Sequence, residues 1–380
     1  MAIGCAENYS ALIARQVGGD EGTGQGTTPV VVGEVVEITS LEFNRILSGT
    51  STARVEFTRC PTNCSFMSAP VKPWAYELWL YRDGILVWCG PIVITKESRV
   101  SETFELIAWD ITGWTTRRRI GTNYTLTNNA TSIAINLAQE FFDGTPGRPD
   151  PGLLDYVNFL GFASTTITVE YDGFQYTVAQ KWAELVAAGF SYTTMGRYTF
   201  VWGETAPNIN SPFVIDATEI MGEMELVQDG TDFATRVVGM GEGVRFSAGP
   251  FPVDAAYYGG VDWPTVRYQG ITDDPQIQAL TLQLFSQKRD LSPTLVIPSG
   301  SSLTSNTEIQ STGYTIDYTT QIAIPELMCG LRYDVQVPAE QFCQPGRYPM
   351  RLDEMKVTWT PEGQEKIAVS FGTLGIPEDD

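Results

Sequence analysis

Between Trp74 and Gly90 two aromatic, β-rich runs flank a single Asp-Gly dipeptide. The first is Trp74-Ala75-Tyr76-Glu77-Leu78-Trp79-Leu80-Tyr81-Arg82, the turn is Asp83-Gly84, and the second is Ile85-Leu86-Val87-Trp88-Cys89-Gly90. This arrangement is the strongest hairpin signal a single sequence offers, because Asp-Gly supplies the tight turn that matches strand twist. Alternation places Trp74, Tyr76, Leu78 and Leu80 on one face and Ala75, Glu77, Trp79 and Tyr81 on the other. Both faces are heavily apolar, which suits a sheet covered on both sides or a subunit interface. A sugar-binding platform built from the same rings is the competing reading.

Strand patterns surround this hairpin. Val30-Val31-Val32 and Val35 to Ile38 are short and β-branched, and Ala53 to Phe57 alternates apolar and charged residues. Pro91 to Lys96 and Thr103 to Ala108 continue the meander, so residues 29–115 read as an antiparallel barrel or sandwich. Residues 18–28 hold five glycines and no apolar side chain, and read as a flexible loop. They are not a phosphate cradle, since no Lys-Ser/Thr and no helix follow.

The middle of the chain changes period. Ile133, Leu137 and Phe141 mark an amphipathic helix within Thr131 to Phe142. Thr177 and Gln180 form a capping box for a second helix, with Val178, Trp182, Leu185 and Val186 as its stripe and Gly189 as its stop. A strand pair, Phe190 to Thr193 and Arg197 to Trp202, turns at Met195-Gly196. Beyond Phe213 strands resume around one long helix near 274–290, capped by Asp274 with Pro275 first and Ile277, Leu280, Leu284 and Lys288 inward. The expected class is mainly β with α+β insertions, divided as 1–117, 118–215 and 216–380.

Charge and composition narrow the chemistry. Lys+Arg 24 against Asp+Glu 45 leaves a net charge of −21. That excess disfavours binding to phosphate backbones and anionic membranes. It serves solubility, or a surface that nucleic acid passes without sticking. Histidine is absent, which removes the commonest general base and metal ligand together. The six cysteines fit no zinc spacing, and no metal or cofactor is expected. Cys60 and Cys64 flank Pro61-Thr62-Asn63, where a tight turn would let them bridge; reduced thiols acting as small hydrophobes are the alternative. Met1 to Val17 lacks the features of a secretory signal, and no run of about 18 apolar residues predicts a membrane span. The expectation is a soluble chain made in a cytoplasm.

No catalytic constellation emerges. Glu170 with Asp172, and Asp353 with Glu354, are close acidic pairs, yet 45 acidic residues make chance pairs common. Asp273-Asp274 and the Glu378-Asp379-Asp380 tail lack calcium-loop spacing. Arg117-Arg118-Arg119 is the sole basic run, too small for nucleic acid and suited to carboxylates or phosphate-like surfaces at a subunit contact.

Three motifs in order then carry a resemblance: Leu80-Tyr81-Arg82-Asp83-Gly84, Trp88-Cys89-Gly90-Pro91-Ile92, and Asp110-Ile111-Thr112-Gly113-Trp114 followed by Arg117, Arg118 and Arg119. Together they resemble the hub-type minor tail proteins of siphophages that infect actinobacteria and related hosts. Leu41 to Ser48, Thr177 to Trp202, Asp232 to Gly239 and the C-terminal β block agree more weakly. The resemblance implies two tail-tube-like β-barrel domains per chain, flanking the small α+β region. Three chains would form a ring that continues the tail tube at the tail tip of the virion. Its implied partners are the distal tail protein, the tape-measure protein and tail-tip or receptor-binding proteins, with DNA passing through unbound and no membrane anchor. No catalytic residues carry over, so the chain is expected not to be an enzyme. A secreted carbohydrate-binding β protein and a carboxylate-dependent glycoside hydrolase are the alternatives from other classes.

Overall fold

The computed structural model describes residues 9–15, 30–67, 71–142, 157–159, 166–203, 210–228, 230–250, 260–268, 272–289, 294–299, 301–303, 315–316, 322–323, 328–340, 343–361 and 365–373. The chain divides into two compact units, Met1–Gly222 with Pro298–Gly372, and Glu223–Ile297 with Thr373–Asp380. The Gly-rich stretch 18–28 lies outside the described residues.

The first unit is mainly β. Its N-terminal strands are β1 (Tyr9–Arg15), β2 (Val30–Val35), β3 (Ile38–Ile46), β4 (Thr52–Thr58), β5 (Tyr76–Arg82), β6 (Ile85–Ser98) and β7 (Thr103–Trp109), with helix α1 (Pro61–Met67) after β4. The predicted hairpin is β5–β6, with Arg82 opposite Ile85. Asp83 and Gly84 both take positive φ, 47° and 80°, as its two-residue turn requires. Next come β8 (Tyr124–Asn129), α2 (Ala130–Phe141), β9 (Val157–Phe159), β10 (Thr166–Tyr171), α3 (Val178–Val186), β11 (Ser191–Met195), β12 (Tyr198–Trp202), β13 (Asn210–Asp216) and β14 (Ile220–Met221). Both anticipated helices form. Asn129 caps α2, and Thr177 with Gln180 makes the full capping box of α3. Ile133, Leu137, Phe141, Val178, Trp182 and Leu185 are the buried stripe of the small α+β core.

The second unit holds β15 (Glu225–Val227), β16 (Val237–Met240), β17 (Arg245–Ala248), β18 (Val266–Arg267), α4 (Asp274–Arg289) and β19 (Thr294–Val296). β16 lies between β17 and β18, and β15 pairs with β19. Its core is Ala234, Val237, Ala248 and Phe285, backed by Phe246, Trp263 and Leu284. The cap of α4 differs by one residue from the sequence expectation. Asp273, not Asp274, accepts the Gln276 N–H at 3.3 Å, so Pro275 sits second in the helix, where it still removes an N–H that has no helical partner.

The chain ends with β20 (Ser301–Leu303), β21 (Thr315–Ile316), β22 (Ile322–Ala323), β23 (Arg332–Val337), β24 (Gly346–Trp359) and β25 (Lys366–Thr373). Among the described residues one 13-stranded sheet runs β14-β20-β25-β24-β3-β4-β7-β6-β5-β1-β2, with β23 beside β24 and β13 beside β23. Two long strands make this continuity. β6 pairs β5 through Pro91 and β7 from Ile92 onward. β24 pairs β23 through Arg351 and β3 from Glu354 onward. β6 lies between β5 and β7, and several motif residues collect around the point, at Pro91 and Ile92, where its pairing passes from one to the other.

Candidate functional site

Gly90-Pro91 lies where β6 passes from β5 to β7, and the Trp109-Asp110 backbone at the end of β7 crosses directly over it. A Cβ at Gly90 would overlap the Trp109 carbonyl oxygen and come within 2.6 Å of the Asp110 carbonyl carbon. Only glycine permits this crossing. Pro91, which has no N–H to leave unpaired, follows where the strand leaves one partner for the next. Gly113 meets the same crossing, since a Cβ there would lie 2.8 Å from Trp109 Cβ.

Asp110 ties this crossing together. Its carboxylate accepts the Ser51 N–H at 2.7 Å, the Thr112 N–H at 2.9 Å, the Thr112 hydroxyl at 2.5 Å and the Thr194 hydroxyl at 3.1 Å. Asp110 also caps the 3-10 turn Ile111–Thr116. Burial raises its pKa, and the hydrogen bonds oppose that rise. Thr194 belongs to β11, so a single carboxylate joins the sheet to the α+β core.

The β11–β12 turn docks beside it. Gly196, at φ +56°, donates its N–H to Val87 O at 3.0 Å and accepts the Cys89 thiol at 3.2 Å. Next to it Arg197 reaches back to Glu77 at 2.8 Å, with side chains 9% and 0% exposed. Trp79 Nε1 donates to the same Glu77 oxygen at 2.7 Å, and the guanidinium lies 5.6 Å from the Trp79 ring centre. Burial, helped by the negative Glu77, pushes the Cys89 thiol well up, so it is an inert core group. Arg45, fully buried, donates to Val87 O at 2.7 Å.

The remaining motif residues have separate places. Arg82 meets Glu365 bidentately at 2.9 and 2.7 Å, and Tyr9 donates to the same carboxylate. Tyr81 is half-buried and its pKa is raised by burial. Trp88 is buried against Gly196. Trp114 packs edge-on to Trp74 at 5.1 Å, as does Trp109 at 5.6 Å, and Arg117 lies 4.9 Å over Trp74. Arg118 stacks on Phe142 at 5.0 Å, and Arg119 donates to Phe174 O at 2.9 Å. The basic run is therefore three separate anchors. Sequence reasoning passed over Glu77, Arg197, Arg45 and Glu365. A lone acid inside an aromatic strand was the available signal for Glu77.

The acidic pairs are otherwise engaged or exposed. Asp353 holds Arg351 at 2.6 Å, Glu354 accepts from Asn44 at 3.3 Å, and Asp172 accepts from Gln175 at 3.2 Å. Cys60 and Cys64 are free, half-buried thiols. The segment between them is the first turn of α1, in which Cys64 N–H bonds Cys60 O at 2.9 Å. Among the described residues no group of three or more Cys, Asp or Glu could hold a metal, and no helix is long and apolar enough to cross a membrane.

In its fold the chain resembles solved phage and prophage tail proteins. The chain is similar to the 43 kDa tail protein of prophage MuSo2 from Shewanella oneidensis, with a TM-score of 0.53, 11% identity, and coverage of 97% of this chain and 100% of that one. It is similar to the tail protein from Neisseria meningitidis MC58, with 0.51, 13%, 97% and 98%. Prophage tail protein gp18 from Listeria monocytogenes EGD-e gives 0.50, 10%, 95% and 94%. No protein-family model matches the sequence, and no curated protein matches it.

Proposed function

We propose that this chain is a structural baseplate hub, or minor tail, protein of a long-tailed phage. The observation that carries the reading is the end-to-end correspondence in fold with the MuSo2 tail protein, 97% of this chain against 100% of that one. The ordered motifs from Leu80 to Arg119 support it from the sequence side.

In this reading three copies close into a ring that continues the tail tube, with two tube-like β regions per chain, and anchor the tail tip. The distal tail protein, the tape-measure protein and tail-tip or receptor-binding proteins are its neighbours. The −21 charge then suits a bore past which DNA slides during ejection, because an acidic wall offers the duplex no phosphate contacts. Cyclic closure is the ordinary way to satisfy such an interface.

Native mass measurement and electron microscopy of the assembled tail tip test the reading. Three copies of the 41.8 kDa chain in a closed ring are expected. A monomer or an open filament in the mature tail would overturn it. A neutral or basic bore, with carboxylates only outside, would assign the charge to solubility.

A further inference from the structure

The turn between β10 and α3 presents an aromatic ring outward from a backbone conformation that disfavours one. Phe174 is 70% exposed, yet its φ is +64°, a region L side chains seldom adopt. The turn is held there from several sides. Phe174 donates its N–H to Ile120 O at 2.6 Å, and its carbonyl accepts Arg119 Nη1 at 2.9 Å. Gly173 donates to Asn123 Oδ1 at 2.9 Å, and Gln175 Nε2 to Asp172 at 3.2 Å. Gly173 also lies so close to Thr122 that a Cβ would come within 2.9 Å of its backbone. Among the described residues the ring lies outside the buried cluster that α2 and α3 build, so its own burial offsets little of the strain.

The surroundings indicate what meets it. Arg119, which fixes the turn, is exposed and belongs to the sole basic run of a chain with net charge −21. Arg117 of the same run is exposed over Trp74. Copies of so acidic a chain repel one another unless a positive contact is built in. An exposed aromatic beside arginines is the composition of an interface anchor.

We infer that Phe174 and Arg119 anchor the contact between copies of this chain, the ring entering an apolar recess of the next copy and the guanidinium meeting its carboxylates. The inference rests on the threefold reading above. Phe174→Gly removes the ring and relieves the positive φ, so the folded monomer should melt no lower than wild type. Association, read by mass photometry across concentration, should weaken roughly tenfold or more, and Arg119→Glu should weaken it too. A photo-crosslinking residue at 174 should join two copies, whereas one at exposed Val100 should not. If wild type forms trimers and Phe174→Gly leaves them unchanged, this inference falls and the threefold reading stands. A wild-type chain monomeric at every concentration and in the tail overturns both. Crosslinking at 174 to a different protein would overturn the copy-to-copy assignment alone.

Discussion

Arg82 and Glu365 form a bidentate ion pair across 283 residues of sequence, with side chains 11% and 1% exposed and Tyr9 donating to the same carboxylate. The pair ties the end of β5 to the residue just before β25. Leaving one partner of a buried pair without the other costs about 3–5 kcal/mol. Arg82→Ala should therefore lower the free energy of urea unfolding by about 3 kcal/mol or more. Arg82→Lys should recover only part of this, because an ammonium lacks the planar fork. An Arg82→Ala protein as stable as wild type would show that the pair only decorates the surface.

The second buried pair allows a cleaner separation of cost from benefit. Glu77→Gln should destabilise by about 3 kcal/mol, since Arg197 keeps a charge that has lost its countercharge. Replacing both, as Glu77→Leu with Arg197→Met, should come closer to wild type than Glu77→Gln does. Chemical denaturation of wild type and the two variants checks the order.

Glycines 84 and 90 are both motif residues but should tolerate alanine very differently. Around Gly84 nothing lies within 4 Å, so Gly84→Ala meets only the strain of its +80° φ, about 1–2 kcal/mol. At Gly90 the added carbon overlaps backbone on the crossing segment. Gly90→Ala should lose more than about 4 kcal/mol or fail to fold. Thermal melts that ranked the two equally would contradict the crossing geometry.

Asp110 should leave a signature in pH. Burial raises its folded pKa above the ordinary 3.8, so the unfolded chain gives up this proton first as pH climbs. Its contribution to stability is complete below that value and is lost as pH rises through the folded pKa. Asp110→Asn carries no such titration and sets an amide N–H against a donor, a cost of about 1–3 kcal/mol. The stability gap between wild type and Asp110→Asn should thus narrow as pH is raised from about 4. A gap that widens over that range would reverse the assignment.

Thiol labelling should follow exposure. In the native protein Cys60, Cys64 and Cys343 should react, while two buried thiols should wait for denaturant: Cys89, whose pKa burial pushes well up, and Cys329, whose pKa burial lifts to about 12. If oxidation joins Cys60 to Cys64, as the sequence allows, those two labels should vanish together and return with reductant.

Local chemistry determined a good part of this molecule from the sequence. The Asp83-Gly84 turn, the Asn129 to Phe141 helix and the Thr177-Gln180 capping box arise among residues within a few positions of one another, and such patterns are legible without a fold. The motif glycines could be picked out but not explained, because the reason for Gly90 is a strand end that arrives from nineteen residues further on. Tertiary structure alone decided that β3 would pair with β24, that Glu77 would be met by Arg197 from a distant turn, and that Glu365 would hold Arg82. A buried charge inside an apolar strand signals that a partner must exist, since its desolvation has to be offset. It carries no period or spacing that says where in the chain the partner lies; only the path of the folded backbone brings the two together.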